Sequence, residues 1–222
     1  MELYHVLNRG VDKRSIAMDN KDKMRFVCNL YELNDEEHVF NLGRSIDIGR
    51  RSFTRERKPL VTVHGWCLMK NHYHLLLSAV AEKGISRFLQ KINMGYTKYF
   101  NERHDRSGAL FQGKTKQKHI NSDAYFLHIL HYIHLNPLDY LHGSAQWRER
   151  NIENAEKAII HIARYRWSSY GDYCEGTDFL PIISPELFRE VFGDYKKVLT
   201  EYVRDIETAK VLYTAFGPRG FE

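Results

Sequence analysis

The sequence predicts an α+β fold in which an antiparallel sheet carries helices on one face, plus a C-terminal helical extension. Segments with the alternation of strands and segments with helical spacing follow in the order strand, helix, strand, strand, helix, strand, helix. This order is typical of a ferredoxin-like layer. After Pro137 the chain becomes more polar and its connections longer. We therefore expect one domain over residues 1–137 and a mostly helical extension over residues 138–222.

One strand, one helix and one hairpin begin the predicted domain. The first strand is "ELYHVLNRG", which alternates and ends in Arg-Gly. The helix lies in "DNKDKMRFVCNLYELND", where apolar residues recur at helical spacing behind an Asp-Asn start. The hairpin lies in "LVTVHGWCLMKNHYHLLLSAV" and turns at Met-Lys-Asn, so that His72 begins its second strand.

A helix, a strand and a further helix complete the domain. The helix lies in "GISRFLQKINMGYTKYFNERH", with Ser86 as its expected cap, and "GALFQGKTKQKHI" follows as an extended segment. In "SDAYFLHILHYIHLNP", Ser122 is a natural N-cap and Pro137 marks where the helix must stop or bend. In the extension, helices are predicted in "NIENAEKAIIHIARY" and "SPELFREVFGDYKKVLTEYVRDIE".

The composition fits a globular protein with an anionic partner. Of 222 residues, 43% are hydrophobic and 13% aromatic, which suffices for a substantial core. The net charge is +5 with a pI near 9.0, which by itself favours nucleic acid only mildly. The three scattered cysteines fit reduced thiols in the cytoplasm. Since no apolar stretch approaches the length of a membrane span and the start has no hydrophobic signal region, we expect a cytoplasmic protein without membrane contact.

Two histidines in "NHYHLLLS" are spaced so that a strand would place them on the same face. Alternate side chains of a strand point to opposite faces, so His72 and His74 share one face and Tyr73 lies on the other. Such a pair is either half of a metal site or an accident of composition. Taken alone, a His-x-His pair is more often structural or on the surface.

A tyrosine and an amide lie one helical turn apart near Pro137. Tyr132 and Asn136 are four residues apart and therefore share a helix face. The nitrogen and oxygen atoms of His72, His74 and Asn136 could hold Mg²⁺ or Mn²⁺ beside a phosphate. Tyr132 would then be the nucleophile, although a tyrosine on an aromatic-rich helix is more often a packing residue. A free tyrosine has a pKa of about 10, so positioning and a nearby cation would have to activate it.

Other tyrosines and histidines are assigned to different roles. Tyr96 and Tyr99 lie among core-like residues of the preceding helix, and we interpret them as packing residues. Three histidines recur every third residue around the helix that carries Tyr132, without a cysteine among them. We interpret them as polar or DNA-facing residues rather than metal ligands: His128, His131 and His134.

The motifs together resemble a known family. His72-Tyr73-His74 resembles the HUH motif of single-strand tyrosine transposases and relaxases. The strings "YHVLNRG", "HGWCLMKNHYHLLL", "RFLQKINMGYTKYFNERH", "RSGALFQGK", "YIHLNP" and "YRWSSYGDY" follow in the order seen in tyrosine transposases of very small insertion sequences. The resemblance runs from about residue 2 to about residue 173, and it is nearest to the branch associated with repetitive extragenic palindromes (REP).

This resemblance implies a fold, an activity and a site. It implies a ferredoxin-like fold whose catalytic tyrosine, on a helix facing the histidine strand, precedes a polar metal ligand by four positions. Tyr132 and Asn136 occupy those places within "YIHLNP". The family cuts single-stranded DNA beside a hairpin and forms a 5′-phosphotyrosine link, which implies a cytoplasmic, nucleoid-associated protein. Monomer and homodimer both stay open.

Basic residues outside the motif predict contacts to DNA. Lys114, Lys116 and Lys118 alternate as a strand would require and would point to one face. An Arg-rich stretch over residues 44–58 looks inserted, and its alternative interpretation is a solvated loop. The predicted DNA-binding residues are Arg9, Arg50, Arg51, Lys114, Lys116 and Lys118.

Three hypotheses about function follow from these residues. The leading hypothesis is a metal-dependent DNA strand transferase and endonuclease of the transposase type. A non-catalytic, domesticated hairpin-binding relative would use the same basic and aromatic residues, but has no need for Tyr132, His72, His74 and Asn136 together. A small metallohydrolase that uses bound water would leave Tyr132 without a role.

Overall fold

The computed structural model describes residues 1–38, 57–174 and 182–206. Its strands are β1 (Leu3–Arg9), β2 (Val61–Leu68), β3 (His72–Ala79) and β4 (Lys116–His119). Within the described residues they form one sheet in the order β2-β3-β1-β4, with every neighbouring pair antiparallel. With a helix between β1 and β2 and another between β3 and β4, this is the ferredoxin-like arrangement. The predicted α+β fold is confirmed.

Two helices cover the first face of the sheet, as predicted. They are α1 (Asn20–Glu32) and α2 (Gly84–Arg103). The Asp19 side chain caps α1 by accepting hydrogen bonds from two backbone N–H groups of its first turn. The expected cap of α2 is wrong, because that helix begins at Gly84 without a side-chain cap and Ser86 lies inside its first turn.

A third helix, α3 (Asp123–Leu135), packs against the opposite face of the sheet. Ser122 caps it as predicted, and the helix ends before Pro137 in a 3₁₀ turn. Close packing depends on Gly65, at a register shift in β2, because a Cβ there would lie 2.8 Å from a methyl group of Leu130. Helices therefore cover both faces, whereas the sequence predicted them on one.

The extension is built from short helices that pack around α3. They are α4 (Ala155–Arg164), α5 (Tyr170–Cys174), α6 (Glu186–Phe192) and α7 (Tyr195–Arg204). The last predicted helix is thus divided into two at Gly193, whose φ of +60° is a conformation that favours glycine. None of the helices in the described ranges is long and apolar enough to span a membrane.

Residues on both sides of the predicted boundary at residue 137 share one hydrophobic cluster. Ile129 and Ile133 of α3 pack in it together with Phe188 and Leu199 of the extension. The backbone N–H of Ser169 also donates to the carbonyl of Trp66 in β2, at 2.9 Å. The division into residues 1–137 and 138–222 stays a prediction.

The three histidines of α3 bind the extension rather than facing DNA. The hydroxyl of Tyr195 lies 3.2 Å from His131 Nδ1 and 2.8 Å from His134 Nδ1. The hydroxyl of Tyr202 lies 2.9 Å from His128 Nδ1. All three imidazoles are buried, so their interpretation as DNA-facing residues is wrong.

These buried imidazoles predict acid sensitivity. Burial, and to a lesser degree His128, lowers the pKa of His131 to about 3, compared with about 6.5 for an exposed imidazole. Because the unfolded chain binds this proton more readily than the folded protein, acid favours unfolding. The contribution of the neutral imidazole to the free energy of unfolding is complete above pH 6.5 and is lost as the pH falls towards 3. One pH unit below 6.5 the loss of stability is about 1 kcal/mol.

We expect His131→Phe to reduce the pH dependence of stability by that amount. Urea unfolding at pH 7.5 and pH 5.5 measures it in both proteins. Tyr195 keeps its bond to His134, so the variant should remain folded at pH 7.5. An equal loss of stability between the two pH values in both proteins would contradict the prediction.

Candidate active site

The histidine pair lies on the sheet face that α3 covers. Strand alternation places Tyr73 and Leu75 in the cluster under α1 and α2, and therefore His72 and His74 on the opposite face. His72 is 7% exposed and His74 is 2% exposed. The prediction that the two imidazoles share one face agrees with this arrangement.

Tyr132 lies in the last turn of α3, directly over the histidine strand. Its ring is half-buried, and its centroid lies 5.7 Å from that of His74, with the two rings edge to face. The structure therefore brings the predicted nucleophile to the predicted metal-ligand strand. Tyr96 and Tyr99, by contrast, pack in or against the cluster on the other side of the sheet.

A third imidazole, not expected from the sequence, completes this group. His5 of β1 is 1% exposed, and its Nε2 lies 2.9 Å from His74 Nδ1 with the two rings stacked. Its ring centroid is also 5.7 Å from that of Tyr132. The alternation of "ELYHVLNRG" could have indicated its face, but not that β1 would lie beside β3.

The hydrogen bond of His72 favours the form with a lone pair on Nε2, whereas His74 pairs with an imidazole that can donate or accept. His72 Nδ1 lies 2.7 Å from Asn71 Oδ1, and an amide oxygen only accepts, so Nδ1 carries the proton and Nε2 a lone pair. The other end of the same amide donates to the carbonyl of Lys13, which sets its orientation. His74 Nε2 is buried and has no hydrogen-bond partner among the described residues.

Burial keeps these imidazoles neutral at neutral pH. It lowers the pKa of His72 to about 3, with smaller contributions from the guanidinium groups of Arg9 and Arg148. Burial and the neighbouring imidazoles hold the pKa of His74 well below its usual value. Neutral imidazole is the form that binds a metal.

Asn136, the third predicted ligand, is buried and already bonded at both ends of its amide. Its Nδ2 donates to the carbonyl of Tyr132 at 2.8 Å, and its Oδ1 accepts from Arg148 Nη2 at 2.7 Å. An amide oxygen has two lone pairs, so one could still face a cation. The role of Asn136 as a ligand stays a prediction.

The side chains of His72, His74 and Asn136 could supply three ligands of a divalent cation, which is part of its coordination shell. Among the described residues, no group of three or more His, Cys, Asp or Glu side chains is placed to hold a metal ion. Two imidazole nitrogens and one amide oxygen nevertheless form a mixed set that Mn²⁺ or Mg²⁺ can accept, with water completing the shell. The unpartnered His74 Nε2 is the observation that favours this fit.

Arg148 belongs to the same group of side chains, although it comes from the extension. It lies in the 3₁₀ turn Trp147–Glu149, and its guanidinium carbon is 5.7 Å from the centroid of the Tyr132 ring. It forms an ion pair with Asp139 in addition to its bond to Asn136. The sequence did not indicate this residue, because its segment carries none of the motifs.

The structure places only some of the predicted DNA-binding residues near the active site. Arg9 lies beside His72 in the β1–β3 register. Lys118 pairs with His5 and Lys116 with Leu7, so both lysines share the face of the active site, whereas Lys114 precedes β4. Arg50 and Arg51 lie outside the described residues.

Of the Arg-rich stretch, Arg57 is described and packs on the protein itself. Its guanidinium carbon lies 3.5 Å from the centroid of the Tyr31 ring, and its Nη1 donates to the carbonyl of the same residue. This arginine is therefore half-buried and bonded rather than fully solvated.

A comparison with protein families supports the relationship that the motifs indicate. A family model described as "Transposase IS200 like" matches residues 52–136, a range that includes both motif histidines, Tyr132 and Asn136. A solved structure of a REP-associated tyrosine transposase bound to a REP hairpin is 12% identical, with a TM-score of 0.47. That match covers 80% of this chain and 88% of the other. No significant sequence match was found among curated proteins.

Proposed function

We propose that this relative of the IS200-like tyrosine transposases is a metal-dependent DNA strand transferase. It would cleave and rejoin single-stranded DNA next to hairpins through a 5′-phosphotyrosine intermediate. The observation that carries the proposal is the position of Tyr132, whose ring faces His74 across the interface of α3 and β3. Because the substrate is DNA, we place its action in the cytoplasm at the nucleoid.

The chemistry follows from the residues around Tyr132. Its phenolate oxygen would attack the scissile phosphorus, forming the tyrosine–phosphate bond as the bond to the 3′ oxygen breaks. The phenolic proton passes to solvent and the DNA leaves with a 3′ hydroxyl. Because the phosphodiester energy is kept in the phosphotyrosine, the reverse attack by a 3′ hydroxyl rejoins the strand without ATP.

The histidine strand would supply the metal site for this step. His72 and His74 would bind Mg²⁺ or Mn²⁺ through Nε2, with Asn136 as the oxygen ligand. A bound ion would polarise a phosphoryl oxygen and offset the charge that develops there. Asn71 holds His72 in the required tautomer, and His5 would do the same for His74 by accepting from its Nδ1–H, as hydrogen-bond partners behind metal ligands commonly do.

The direct test is formation of the covalent intermediate. The protein is incubated with a hairpin-flanked single strand, labelled on the 3′ side of the cleavage region, and Mn²⁺, and run on a denaturing gel. A labelled band at the mass of protein plus DNA supports the proposal. Hairpin binding without an adduct would instead identify a non-catalytic binder, and cleavage without an adduct a hydrolase.

The lysines of β4 should contribute affinity for the strand. Lys116 and Lys118 lie on the edge strand and on the same face as the active site. The affinity for a single strand falls as salt is added, and the slope of log K against log salt concentration reports the number of phosphate contacts. Neutralising one lysine that binds a phosphate should reduce the magnitude of this slope by about 0.7. Lys116→Gln with Lys118→Gln should therefore reduce the slope by about 1.4 in a fluorescence anisotropy titration.

The matched control for this prediction is Lys98→Gln. Lys98 is exposed on α2, which covers the opposite face of the sheet, so its removal should not change the slope. If the double variant binds DNA with the wild-type slope, these lysines are solvated surface.

A further inference from the structure

We propose that Arg148 is a catalytic residue, supplied by the extension, whose guanidinium contacts the scissile phosphate beside Tyr132. This inference rests on the proposed strand transfer and names a residue that the motifs do not contain. It makes the extension a part of the active site.

The guanidinium is held in one place by its neighbours. Asp139 accepts a hydrogen bond from its Nη1, and Asn136 Oδ1 accepts one from its Nη2. Its carbon lies 4.3 Å from the centroid of the Trp147 ring, and the indole N–H of Trp147 donates to the same Asp139 at 2.8 Å. Trp147 itself is buried in the cluster around α3.

Its position is suited to a phosphate attacked by Tyr132. The guanidinium lies 5.7 Å from the Tyr132 ring centroid and bonds to the amide four residues further along the chain. The Arg148 side chain is 21% exposed, so a ligand can reach it. It also lies close enough to His72 and His74 to lower the pKa of both, although burial is the larger cause.

The donors and the charge leave capacity for an anion. An arginine has five N–H donors, and the two bonds to Asp139 and Asn136 use two of them. Two guanidinium groups, Arg9 and Arg148, and one carboxylate, Asp139, lie near imidazoles that are neutral. These side chains alone sum to one positive charge, and the proposed metal ion adds to it, so the site favours an anion. Arginine binds phosphate through paired N–H groups, which lysine cannot reproduce.

The experiment compares Arg148→Gln with wild type on two substrates. On a normal phosphodiester, removing a donor aimed at developing charge typically costs about 100- to 1000-fold in rate, and we expect that reduction in adduct formation. On a methylphosphonate at the scissile position, which lacks the negative charge of the phosphodiester, less charge has to be offset, and the rate of the variant should fall by less than about threefold. A merely structural role would reduce both rates alike.

Three controls separate the possible outcomes. Arg164→Gln, on an exposed residue at the end of α4, should keep the wild-type rate on both substrates. Arg148→Lys restores the charge without the paired geometry and should recover only part of the rate. Thermal unfolding and hairpin affinity report whether each variant is folded.

Failure of this inference is distinguishable from failure of the proposed function. If wild type forms no adduct, the strand-transfer proposal itself fails. If wild type forms it and Arg148→Gln does so equally fast, or slower by the same factor on both substrates, Arg148 is not a phosphate contact. A faster variant with tighter Mn²⁺ binding would show that the guanidinium blocks Asn136, which also overturns the inference.

Discussion

Tyr132→Phe is expected to abolish the covalent protein–DNA adduct while leaving the fold, metal binding and hairpin binding intact. The substitution removes one hydroxyl from a half-buried ring, and the packing of that ring against His74 and Trp147 does not depend on it. Among the described residues, no other tyrosine has a ring contact with both His5 and His74. Denaturing gels after incubation with labelled DNA and Mn²⁺ measure the adduct.

Tyrosines on the other side of the sheet are the matched controls. Tyr96→Phe removes a hydrogen bond to the carbonyl of Ile16, which costs about 1 kcal/mol of stability but should leave the adduct. Tyr99→Phe, beside Asp22, should leave it as well. An adduct that persists in Tyr132→Phe, or that disappears in Tyr99→Phe alone, would identify a different nucleophile. If water replaced the Tyr132 hydroxyl as the nucleophile, the DNA would be cleaved without a protein-linked product.

His72→Ala is expected to weaken Mn²⁺ binding at least tenfold and to reduce cleavage in parallel. It removes one of the two imidazole nitrogens proposed as ligands, and removing merely a hydrogen-bond partner behind a ligand typically costs about 10- to 100-fold in affinity. Calorimetric titration of the DNA-free protein with Mn²⁺ measures this without relying on activity. His72 is 7% exposed and is the first residue of β3, so its truncation should be tolerated better than that of His74.

An imidazole outside the site provides the control for this measurement. His119 is exposed on β4, where its ring contacts Tyr4 on the outer part of the sheet. His119→Ala should bind Mn²⁺ as wild type does. Equal affinity in His72→Ala and wild type would remove the histidine pair from the proposed metal site.

Local sequence patterns predicted most of the secondary structure and the residues at the centre of the site. Alternation over "HYHLLL" placed His72 and His74 on one face of a strand, and the four-residue step placed Tyr132 and Asn136 on one face of a helix. Ser122 capped that helix as expected. These features depend on residues within a few positions of one another, so the sequence alone carries them.

The same patterns were wrong where the outcome depended on a distant segment. Ser86 is a good capping residue, but the chain enters α2 two residues earlier, where Gly84 packs against the carbonyl of Leu60. His128, His131 and His134 were interpreted as polar or DNA-facing, but tyrosines of the extension cover them. Lys114 continued the alternation of its segment, but pairing with β1 begins only at Lys116.

The order of residues was enough to predict which side of each strand or helix a residue lies on, and therefore the histidine strand and the tyrosine helix. What those sides face depended on packing between distant segments. Packing placed His5 behind His74 through the β1–β3 register, and it brought Arg148 to Asn136 from the extension. Periodicity is a property of neighbouring residues, whereas the partner of a buried face is selected among segments far apart in the chain, such as Trp66 and Ser169 at a sequence separation of 103.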